Sequence, residues 1–535
     1  YHGDTVSVSL NFKIGSKYKP SASFQFDYDI SLKRSNQEET NLVETTSITN
    51  NVETFNSINS FKKQDPLSLN QSLNIFWTQN EKSTWAFEVQ HLYQDEDPLY
   101  NPKLVNNPFP FLVGFDDDQS IYNINQTRFV KTNRIDAKAD YYYSLTAKSN
   151  LNITVGNTYS YQSYNSSIFQ ILDNGSSLTL EDEAYKNDVR YSFNDAYLGA
   201  HYKFITGKFT FNPGISFHQY STFNEQLETK VNDDFSRVLP DVFAQYQLKK
   251  SESLTYTYRM NNVFSDINSF AQGFTFSNFN SINRGNRMLE NALQQTHALR
   301  YFKYNLFNYT TIFGNLNYVK TTDPVINRAY FNGIYQTSEK MNADFENESI
   351  NGMVGYQRSF LKYYKGNIGL NMNWSKFNTL RVNPSNPTNP EFDFIQTTES
   401  FSQTYRASLG TQFKTWPNLE LGYTVTLNDY QGTTFKTQQP FAKLDYFFLD
   451  AFSFNADYDY YQYTNSSGTV NNTYDFLNTS LSYRKKDAKM EYRVGVTNLL
   501  DTKSLNDDSF NQTSFRTSEY LVQPRYVVFS LKYNL

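Results

Sequence analysis

The chain has 535 residues, among them 43 Tyr, 46 Phe and 4 Trp, yet its mean hydropathy is -0.65 and its net charge is only -5. Intrinsic disorder is disfavoured because disordered chains are poor in aromatic residues, and a helical membrane protein is excluded because no run approaches ~18 apolar residues. The evenly spread Lys and Arg argue against a nucleic-acid partner, and the absence of Cys excludes thiol chemistry.

Apolar and polar residues alternate strictly in several segments, which is the pattern of β-strands with two unlike faces. The segments are residues 5–14, 368–374, 419–427, 452–460 and 527–535. Strands of a soluble sandwich average about five or six residues, whereas strands of ~9–11 cross a membrane as part of a barrel. Because the alternating runs last about ten residues, the sequence predicts an all-β, large antiparallel transmembrane β-barrel. In its last strand we expect lipid contacts from Val527, Phe529, Leu531, Tyr533 and Leu535.

Tyrosines cluster at the ends of two of the predicted strands. Tyr141, Tyr142 and Tyr143 are consecutive, and a second group comprises Tyr458, Tyr460, Tyr461 and Tyr463. Aromatic rings of this kind form girdles at the two membrane interfaces of outer-membrane barrels. The clusters therefore favour a membrane barrel over a soluble β-protein.

The connections between predicted strands fall into a short and a long class. Short turns begin at residues 15, 80, 148, 206, 249, 305, 361, 415, 449 and 485, and long polar connections span residues 37–66, 96–133, 264–291 and 379–401. Short periplasmic turns and long extracellular loops are typical of outer-membrane barrels.

Counting these turns gives the size of the barrel. Ten hairpins and one terminal strand make about twenty-one strands, whereas single-chain bacterial barrels have an even number. We therefore expect a parent protein of about 22 strands, whose first strand lies outside this chain. Residues 1–535 are predicted to form a single barrel domain.

Two stretches resemble a known family, the TonB-dependent receptors, in the outer-membrane β-barrel branch found in Bacteroidota. The first is SINRGNRMLENALQQTHALRY, residues 281–301, and it resembles the family's extracellular-loop signature through Gly285, Asn286, Leu289, Glu290 and His297. The family usually has Pro where this chain has Arg287. The second comprises residues 495–501 and 520–535, which are similar to the family's last hairpin, although the usual terminal Phe is replaced by Leu535.

The resemblance implies a location and a function. It places the chain in the outer membrane of a Gram-negative bacterium, as a transporter that imports a scarce ligand such as a siderophore, a glycan or a peptide. An N-terminal plug domain would fill the lumen and a TonB box would couple import to energy. Since the chain passes at once into barrel sequence, we expect both to lie outside it.

The expected partners are outer-membrane lipid and lipopolysaccharide, a plug domain or a partner protein in the lumen, TonB, and other envelope proteins. An alternative function is that of a structural or accessory subunit of a larger outer-membrane complex, in secretion or barrel assembly. A passive porin is disfavoured because porins have 16–18 strands.

No enzymatic constellation, cofactor fingerprint or metal site is predicted. The five His residues lack ligand spacing, and P-loop and dinucleotide motifs are absent. The weak Ca²⁺ candidates are Asp116, Asp117 and Asp118, with further acidic runs at residues 95–97 and 181–183, and none of them has the spacing of a calcium loop. Solvated surface charge is the favoured interpretation. The neighbouring Phe109, Phe111 and Phe115 are interpreted as a self-packed loop anchor.

Overall fold

The structure is a computed structural model of the chain. It describes residues 2–49, 52–110, 112–180, 182–332, 335–383, 393–430, 432–468, 470–510 and 515–533. Antiparallel strands make up almost all of these ranges, which confirms the predicted all-β fold. In the same ranges, no helix has the length and apolar character needed to cross a membrane.

The first half of the chain contains thirteen strands and one 3-10 turn, η1 (Glu183–Tyr185). The strands are β1 (His2–Ser21), β2 (Phe24–Thr49), β3 (Val52–Gln64), β4 (Leu67–Thr78), β5 (Ser83–Glu96), β6 (Leu99–Leu104), β7 (Tyr122–Thr146), β8 (Ser149–Ile171), β9 (Ser177–Thr179), β10 (Lys186–Thr206), β11 (Phe209–Gln226), β12 (Thr229–Lys249) and β13 (Glu252–Val263).

The second half begins with a short helix, α1 (Ile267–Phe270), and continues entirely in strands. They are β14 (Thr275–Asn278), β15 (Ser281–Arg284), β16 (Ala292–Asn305), β17 (Thr310–Thr322), β18 (Val325–Asn332), β19 (Tyr335–Asn342), β20 (Glu346–Phe360), β21 (Tyr364–Arg381), β22 (Phe394–Thr411), β23 (Asn418–Tyr430), β24 (Thr433–Phe448), β25 (Phe452–Asn465), β26 (Asn471–Tyr483), β27 (Met490–Thr497), β28 (Ser504–Phe510), β29 (Phe515–Leu521) and β30 (Tyr526–Tyr533).

A single antiparallel wall runs from β1 to β30. Its successive hydrogen-bonded strands are β1, β2, β4, β5, β7, β8, β10, β11, β12, β13, β16, β17, β20, β21, β22, β23, β24, β25, β26, β27 and β30. These are twenty-one strands in the described part of the chain, the number that the turns predict. In that part, β1 pairs only with β2 and β30 only with β27.

Register places the apolar residues of successive strands on one continuous face. Leu198 of β10 lies opposite Val155 of β8, and Ile368 of β21 lies opposite Tyr356 of β20. The exposed fraction reaches 55% for Leu198 and 60% for Ile368. We call this the outer face, and its alternation with a polar face is the one that the sequence predicts.

Charged and polar residues occupy the other face of the wall. The Lys138 ammonium lies 3.2 Å from the Glu88 carboxylate and 3.5 Å from that of Asp140. The His218 imidazole also lies on this face, with its Nδ1 2.8 Å from an Asp195 carboxylate oxygen. Connecting segments fold onto this face, as described below, so it is the inner face of the wall.

The short connections lie together at one end of the wall, the short-turn end, and most of the predicted turns are confirmed there. The predicted turn at residue 15 is wrong, because Lys17 and Tyr18 remain in the ladder opposite Asp27 and Phe26. The chain reverses instead at residues 22–23.

At the opposite end, the loop end, the connections are long with exceptions. Strands β11 and β12 are joined there by Leu227 and Glu228 alone, both with positive φ (45° and 66°). Two central residues with positive φ form the tight type I′ hairpin turn, whose twist matches that of the flanking strands.

Much of the sequence predicted as long loops is strand instead. Residues 37–49 pair with residues 52–64, so the predicted loop 37–66 is a hairpin of β2 and β3. Cross-strand charge pairs stabilise it, with Lys63 2.8 Å from Glu38 and Lys62 3.6 Å from Glu39. Similarly, residues 96–133 contain β6 and the start of β7, and residues 379–401 contain the end of β21 and the start of β22. The polar composition of these segments reflects solvent-facing ladders above the apolar part of the wall.

Aromatic rings lie flat over glycines on the inner face. A Cβ on Gly156 would lie 2.2 Å from Cζ of Tyr197, and a Cβ on Gly422 would lie 2.1 Å from Cζ of Phe441. The partners face each other across neighbouring strands. Since only glycine leaves room for such a ring, these positions account for glycine in strand interiors, where it is otherwise unfavourable.

Candidate functional site

Three connecting segments at the loop end fold together over the inner face, and we call them the loop cap. They are residues 105–121 between β6 and β7, residues 264–291 between β13 and β16, and the hairpin of β18 and β19. Two buried apolar clusters hold the first two segments against the inner face of β7, β8, β10 and β11. The cap therefore covers the inner face of these four strands at the loop end.

Residues 264–291 pack on the wall through aromatic rings. Phe270 of α1 stacks on Tyr191 of β10 with ring centroids 4.7 Å apart, and Phe264 lies 4.1 Å from Phe193. Tyr191 and Phe270 are each 5% exposed. Burial of large aromatic rings is the strongest apolar contribution that so short a segment can obtain.

Carboxamides of the wall bind the backbone of the same segment in pairs of hydrogen bonds. Gln126 Nε2 donates to the Phe276 carbonyl at 3.0 Å, and the Phe276 N–H donates back to Gln126 Oε1 at 2.7 Å. Asn187 Nδ2 donates to the Gly273 carbonyl at 3.1 Å, and the Gly273 N–H donates to Asn187 Oδ1 at 2.7 Å. Each side chain thus replaces one step of a backbone ladder.

Gln226 at the end of β11 makes a third pair of this kind. Its Nε2 donates to the Phe270 carbonyl at 2.7 Å, and its Oε1 accepts from the Gln272 N–H at 3.2 Å. The three wall amides are almost fully buried. Because buried amides are costly unless both donor and acceptor are paired, they fix the segment in one position on the wall.

The segment of residues 105–121 joins the cap beside Phe276. Phe109 and Phe115 have ring centroids 5.7 and 6.5 Å from the Phe276 ring, and both are buried. A fourth amide, Gln170 of β8, pairs with the Asp116 backbone at 2.8 and 3.1 Å. Phe109 and Phe115 thus anchor the loop as predicted, but against Phe276 of another segment and not only within their own loop. Phe111 lies outside the described residues.

The hairpin of β18 and β19 completes the cap. Residues 336–339 of β19 pair in parallel with residues 281–284 of β15, and the Arg284 guanidinium lies 2.9 Å from the Glu339 carboxylate. Tyr335 accepts a hydrogen bond from Asn56 of β3 at 3.1 Å and packs on Phe109, with ring centroids 5.4 Å apart. The cap thus connects the hairpin of β18 and β19 with the hairpin of β2 and β3, which lies far away along the chain.

The predicted signature residues Gly285, Asn286, Leu289 and Glu290 lie in the cap. A Cβ on Gly285 would lie 2.3 Å from the Ser269 carbonyl oxygen, because the backbone of α1 passes directly over it. Leu289 is buried in the cluster around Tyr191.

Backbone hydrogen bonds hold the rest of the signature. The Asn286 N–H donates to the Ser269 carbonyl at 2.8 Å. Glu290 is held through its backbone, which exchanges bonds of 2.8 and 2.9 Å with the Asn342 carboxamide. The four residues are therefore determinants of loop structure.

His297 lies apart from the other four signature residues. It belongs to β16 and faces Tyr258 and Tyr318 on the outer face, with ring centroids 4.8 and 5.9 Å away. Its Nδ1 lies 2.9 Å from the Tyr256 hydroxyl. It therefore belongs to an aromatic cluster on the outer face and not to the cap.

Arg287 stands where the resembled family usually has Pro. Its guanidinium donates to the Asn224 carbonyl at 3.1 Å, to the Thr229 carbonyl at 3.0 Å and to the Thr229 hydroxyl. These bonds attach residues 285–290, which we call the signature loop, to the tight turn between β11 and β12.

The acidic runs do not converge on a metal site. Asp116 accepts from Asp118 N and Gln119 Nε2, and Asp117 accepts from Asn107 Nδ2 at 2.7 Å and from the Tyr122 hydroxyl at 2.8 Å. These bonds lower the pKa of the Asp117 carboxyl, the Tyr122 bond being the larger cause.

The other acidic runs are equally dispersed. Asp182 caps η1 through the Ala184 N–H, and Glu181 lies outside the described residues. Throughout the described ranges, no group of three or more His, Asp or Glu side chains is arranged to hold a metal ion.

The terminal strand presents the residues predicted to face lipid. Val527, Phe529 and Leu531 lie opposite Val496, Val494 and Tyr492, which continue the outer face. They and Tyr533 are exposed, Phe529 by 67%. Leu535 lies outside the described residues.

The wall amides Gln126, Gln170, Asn187 and Gln226 were not predicted as functional residues. These four residues lie in polar strand ends, where the surrounding residues are also polar, so no local motif distinguishes them. A single Gln or Asn among apolar inner-face residues is the one available signal, as at Gln126 beside Ile124.

No protein-family model and no curated protein matches the chain. Among solved structures, the chain is similar to the siderophore receptor PirA from Pseudomonas aeruginosa, with 10% identity over 97% of this chain and 82% of that chain and a TM-score of 0.41. It is also similar to the ferric yersiniabactin uptake receptor FyuA from Yersinia pestis, with 10% identity over 99% of this chain and 79% of that chain and a TM-score of 0.45. A third similar structure is the unliganded ferric citrate transporter FecA, with 11% identity over 99% of this chain and 77% of that chain and a TM-score of 0.44. Similarity at this level assigns neither a family nor a ligand.

Proposed function

We propose that this chain forms the barrel of an outer-membrane transporter of the TonB-dependent-receptor type, which imports a scarce ligand such as a siderophore, a glycan or a peptide. One observation carries the proposal: a wall of twenty-one strands with an apolar outer face and a polar inner face, whose loop end is covered by a cap folded onto the inner face. A cap held by paired amides suits regulated entry better than a passive pore.

The partners of this proposal are outer-membrane lipid and lipopolysaccharide around the outer face, a plug domain or partner protein in the lumen, and TonB as the energy source. The proposed role is transport without catalysis. The assignment to the Bacteroidota branch rests on the sequence of residues 281–301 alone.

Membrane insertion is tested with single cysteines, since the chain has none of its own. Ile368→Cys lies on the outer face and Asn371→Cys, three residues along the same strand, lies on the inner face. In outer membranes, we expect a charged, water-soluble maleimide to label Asn371→Cys but not Ile368→Cys, whose thiol stays protonated in lipid and becomes reactive only after the protein is denatured in detergent. Equal reaction of both variants with the charged reagent would contradict insertion.

Import is tested in the Gram-negative host that encodes the full-length protein. Uptake of labelled siderophores, oligosaccharides and peptides is compared between wild type, deletion and complemented strains, with and without a protonophore. We expect one class to depend on both the gene and the proton-motive force. Unchanged uptake of all three classes in the deletion strain would reject import.

An accessory role in a larger complex is supported by a separate observation. Four neighbouring hairpins of the short-turn end expose large apolar side chains, among them Phe307 (99%), Leu361 (79%), Trp416 (73%) and Leu449 (78%). Exposed apolar patches mark sites of association. If the chain is an accessory subunit, replacing these four residues with Ser is expected to release a stoichiometric partner from the purified protein. If the chain is an importer, the same replacement is expected to leave ligand import unchanged.

A further inference from the structure

Arg128 of β7 is an unpaired cation on the inner face of the wall. Its guanidinium forms no hydrogen bond or ion pair with the described residues, and its Nε is buried. Other cations on the same face of this strand have partners: Arg134 lies 2.9 Å from Asp136, and Lys138 lies 3.2 Å from Glu88. Because no carboxylate of the described residues lies within ion-pair distance of it, the Arg128 guanidinium is available to bind an anion.

A cavity of about 100 Å³ lies beside Arg128. Its inner-face lining includes Lys62, Tyr100, Gln37 and Gln64, from β3, β6 and β2. The Lys62 ammonium lies 5.9 Å from the centre of the Tyr100 ring and 3.6 Å from Glu39, the one carboxylate in the lining. A cavity of this size has room for an oxyanion group together with water molecules.

The loop cap forms the roof of this cavity. Phe276 and Ser277 of β14 line it, and Phe276 is the residue whose backbone is paired with Gln126. Gln126 and Arg128 lie two residues apart on one face of β7, so the same stretch of strand positions the roof and the cation. The cavity is complete only while residues 264–291 rest on the wall.

We propose that Arg128, assisted by Lys62, binds an oxyanion group: a carboxylate, phosphate or sulfate. The planar guanidinium offers such a group two parallel N–H donors, and the second cation adds charge without a fixed geometry. The oxyanion has two possible sources, the ligand entering the cap or an acidic side chain of a domain within the lumen. That the imported ligand is anionic rests on the proposed function, whereas the site itself does not.

The site is tested on the purified full-length protein in detergent, by thermal unfolding in sodium phosphate, sulfate or citrate. Sodium chloride keeps the ionic strength constant. For an oxyanion from solution, Tm is expected to rise with anion concentration and to saturate, since a ligand that binds only the folded state stabilises it. Arg128→Gln is expected to raise the half-saturating concentration at least tenfold, and Lys62→Gln by a smaller factor.

Arg134→Gln is the matched control, because it removes a cation from the same strand and face but one that already has a carboxylate partner. It should keep the wild-type response to anions. General salt effects of sulfate and phosphate act on every variant alike, so the difference between variants reports the site.

The remaining outcomes distinguish the sources. If wild type does not respond to anions and Arg128→Gln lowers Tm in chloride, an internal carboxylate occupies the site, which supports the proposed chemistry. Two outcomes reject the site. In the first, the Tm of wild type does not respond to anions and Arg128→Gln leaves Tm in chloride unchanged or raises it. In the second, the Tm of Arg128→Gln responds to anions as that of wild type does. None of these readouts depends on import, so they stand apart from the uptake test.

Discussion

Gln126 and Phe276 lie 150 residues apart in the chain and are joined by two hydrogen bonds, of 3.0 and 2.7 Å, between one side-chain amide and one backbone residue. Gln126 belongs to the wall and Phe276 to the loop cap. Both are almost completely buried, so water cannot replace either bond. The pair is therefore a point at which the position of the cap depends on a single side chain.

Gln126→Ala is expected to release residues 270–282 from the wall. The substitution leaves the N–H and carbonyl of Phe276 without partners, and each unsatisfied buried group costs ~1–3 kcal/mol. Hydrogen exchange of this segment is expected to become roughly 10-fold faster or more, since about 1.4 kcal/mol corresponds to a factor of ten.

Gln162→Ala is the control for this experiment. Gln162 lies on the inner face of β8 and donates to Thr132 within the wall at 3.2 Å, so its side-chain hydrogen bond does not involve residues 270–282. Its loss should leave exchange in residues 270–282 unchanged. Equal acceleration in both variants would show that the amide pair does not hold the cap.

Gly285→Ala is expected to displace the signature loop from α1. The new Cβ would lie 2.3 Å from the Ser269 carbonyl oxygen, a backbone atom that cannot rotate away. Overpacking of this kind costs ~1–3 kcal/mol. Limited proteolysis in residues 264–291 measures the effect, which should appear as faster cleavage.

Gly114→Ala is the comparison for that substitution, because nothing lies within 4 Å of a Cβ at Gly114 and its loop also belongs to the cap. Cleavage of this variant should match wild type. If Gly285→Ala resisted proteolysis equally well, the close approach of α1 would not constrain the loop.

The wall could be predicted from the sequence because each strand carries its own signal. In residues 5–14 or 527–533 the period of two alone separates the outer from the inner face, and counting turns then gives twenty-one strands. The cap could not be predicted in this way. Its partners, such as Gln226 and Phe270, lie 44 residues apart, so no local pattern in the sequence links them.

The signature illustrates the same limit. Its residues form one motif in the sequence, yet Leu289 is buried in the cap while His297 lies on the outer face of β16. The chain passes from loop to strand between them, so spacing along the sequence does not report spatial proximity. The polar hairpin of β2 and β3 was predicted as a loop for a related reason, since composition does not distinguish a solvated ladder from an irregular connection.

Acid is expected to loosen residues 105–121 through Asp117. Hydrogen bonds from Tyr122 and Asn107 lower the pKa of its carboxyl in the folded protein. A lowered pKa contributes stability that is present above the unfolded value of about 3.9 and is lost as the pH falls through the folded pKa. Hydrogen exchange of this segment, corrected for its intrinsic pH dependence, should therefore be constant from pH 7 to 5 and accelerate below about 3.9.

Asp117→Asn should reduce that acceleration, because the amide cannot be protonated in this range. Asp118→Asn serves as the control, since the Asp118 carboxylate accepts no hydrogen bond from the described residues. In this variant Asp117 keeps its hydrogen bonds from Asn107 and Tyr122. Identical acid profiles for wild type and Asp117→Asn would assign the effect to another group.

Gly422→Ala is expected to weaken the wall itself. Phe441 lies across the ladder from Gly422 on the inner face, and the Arg406 guanidinium lies 4.3 Å from the centre of its ring, a cation–π contact. A Cβ at residue 422 would lie 2.1 Å from the ring, so Phe441 must rotate and the contact with Arg406 is lost. We expect a loss of ~1–3 kcal/mol, measured as a lower unfolding temperature of the purified protein in detergent. Gly369→Ala tests the explanation on the same face, because its nearest neighbour, the Arg406 Cβ, lies 3.9 Å away and leaves room for a methyl group. If both alanine variants lost the same stability, the cost would come from β-strand glycine in general and not from the ring that Gly422 accommodates.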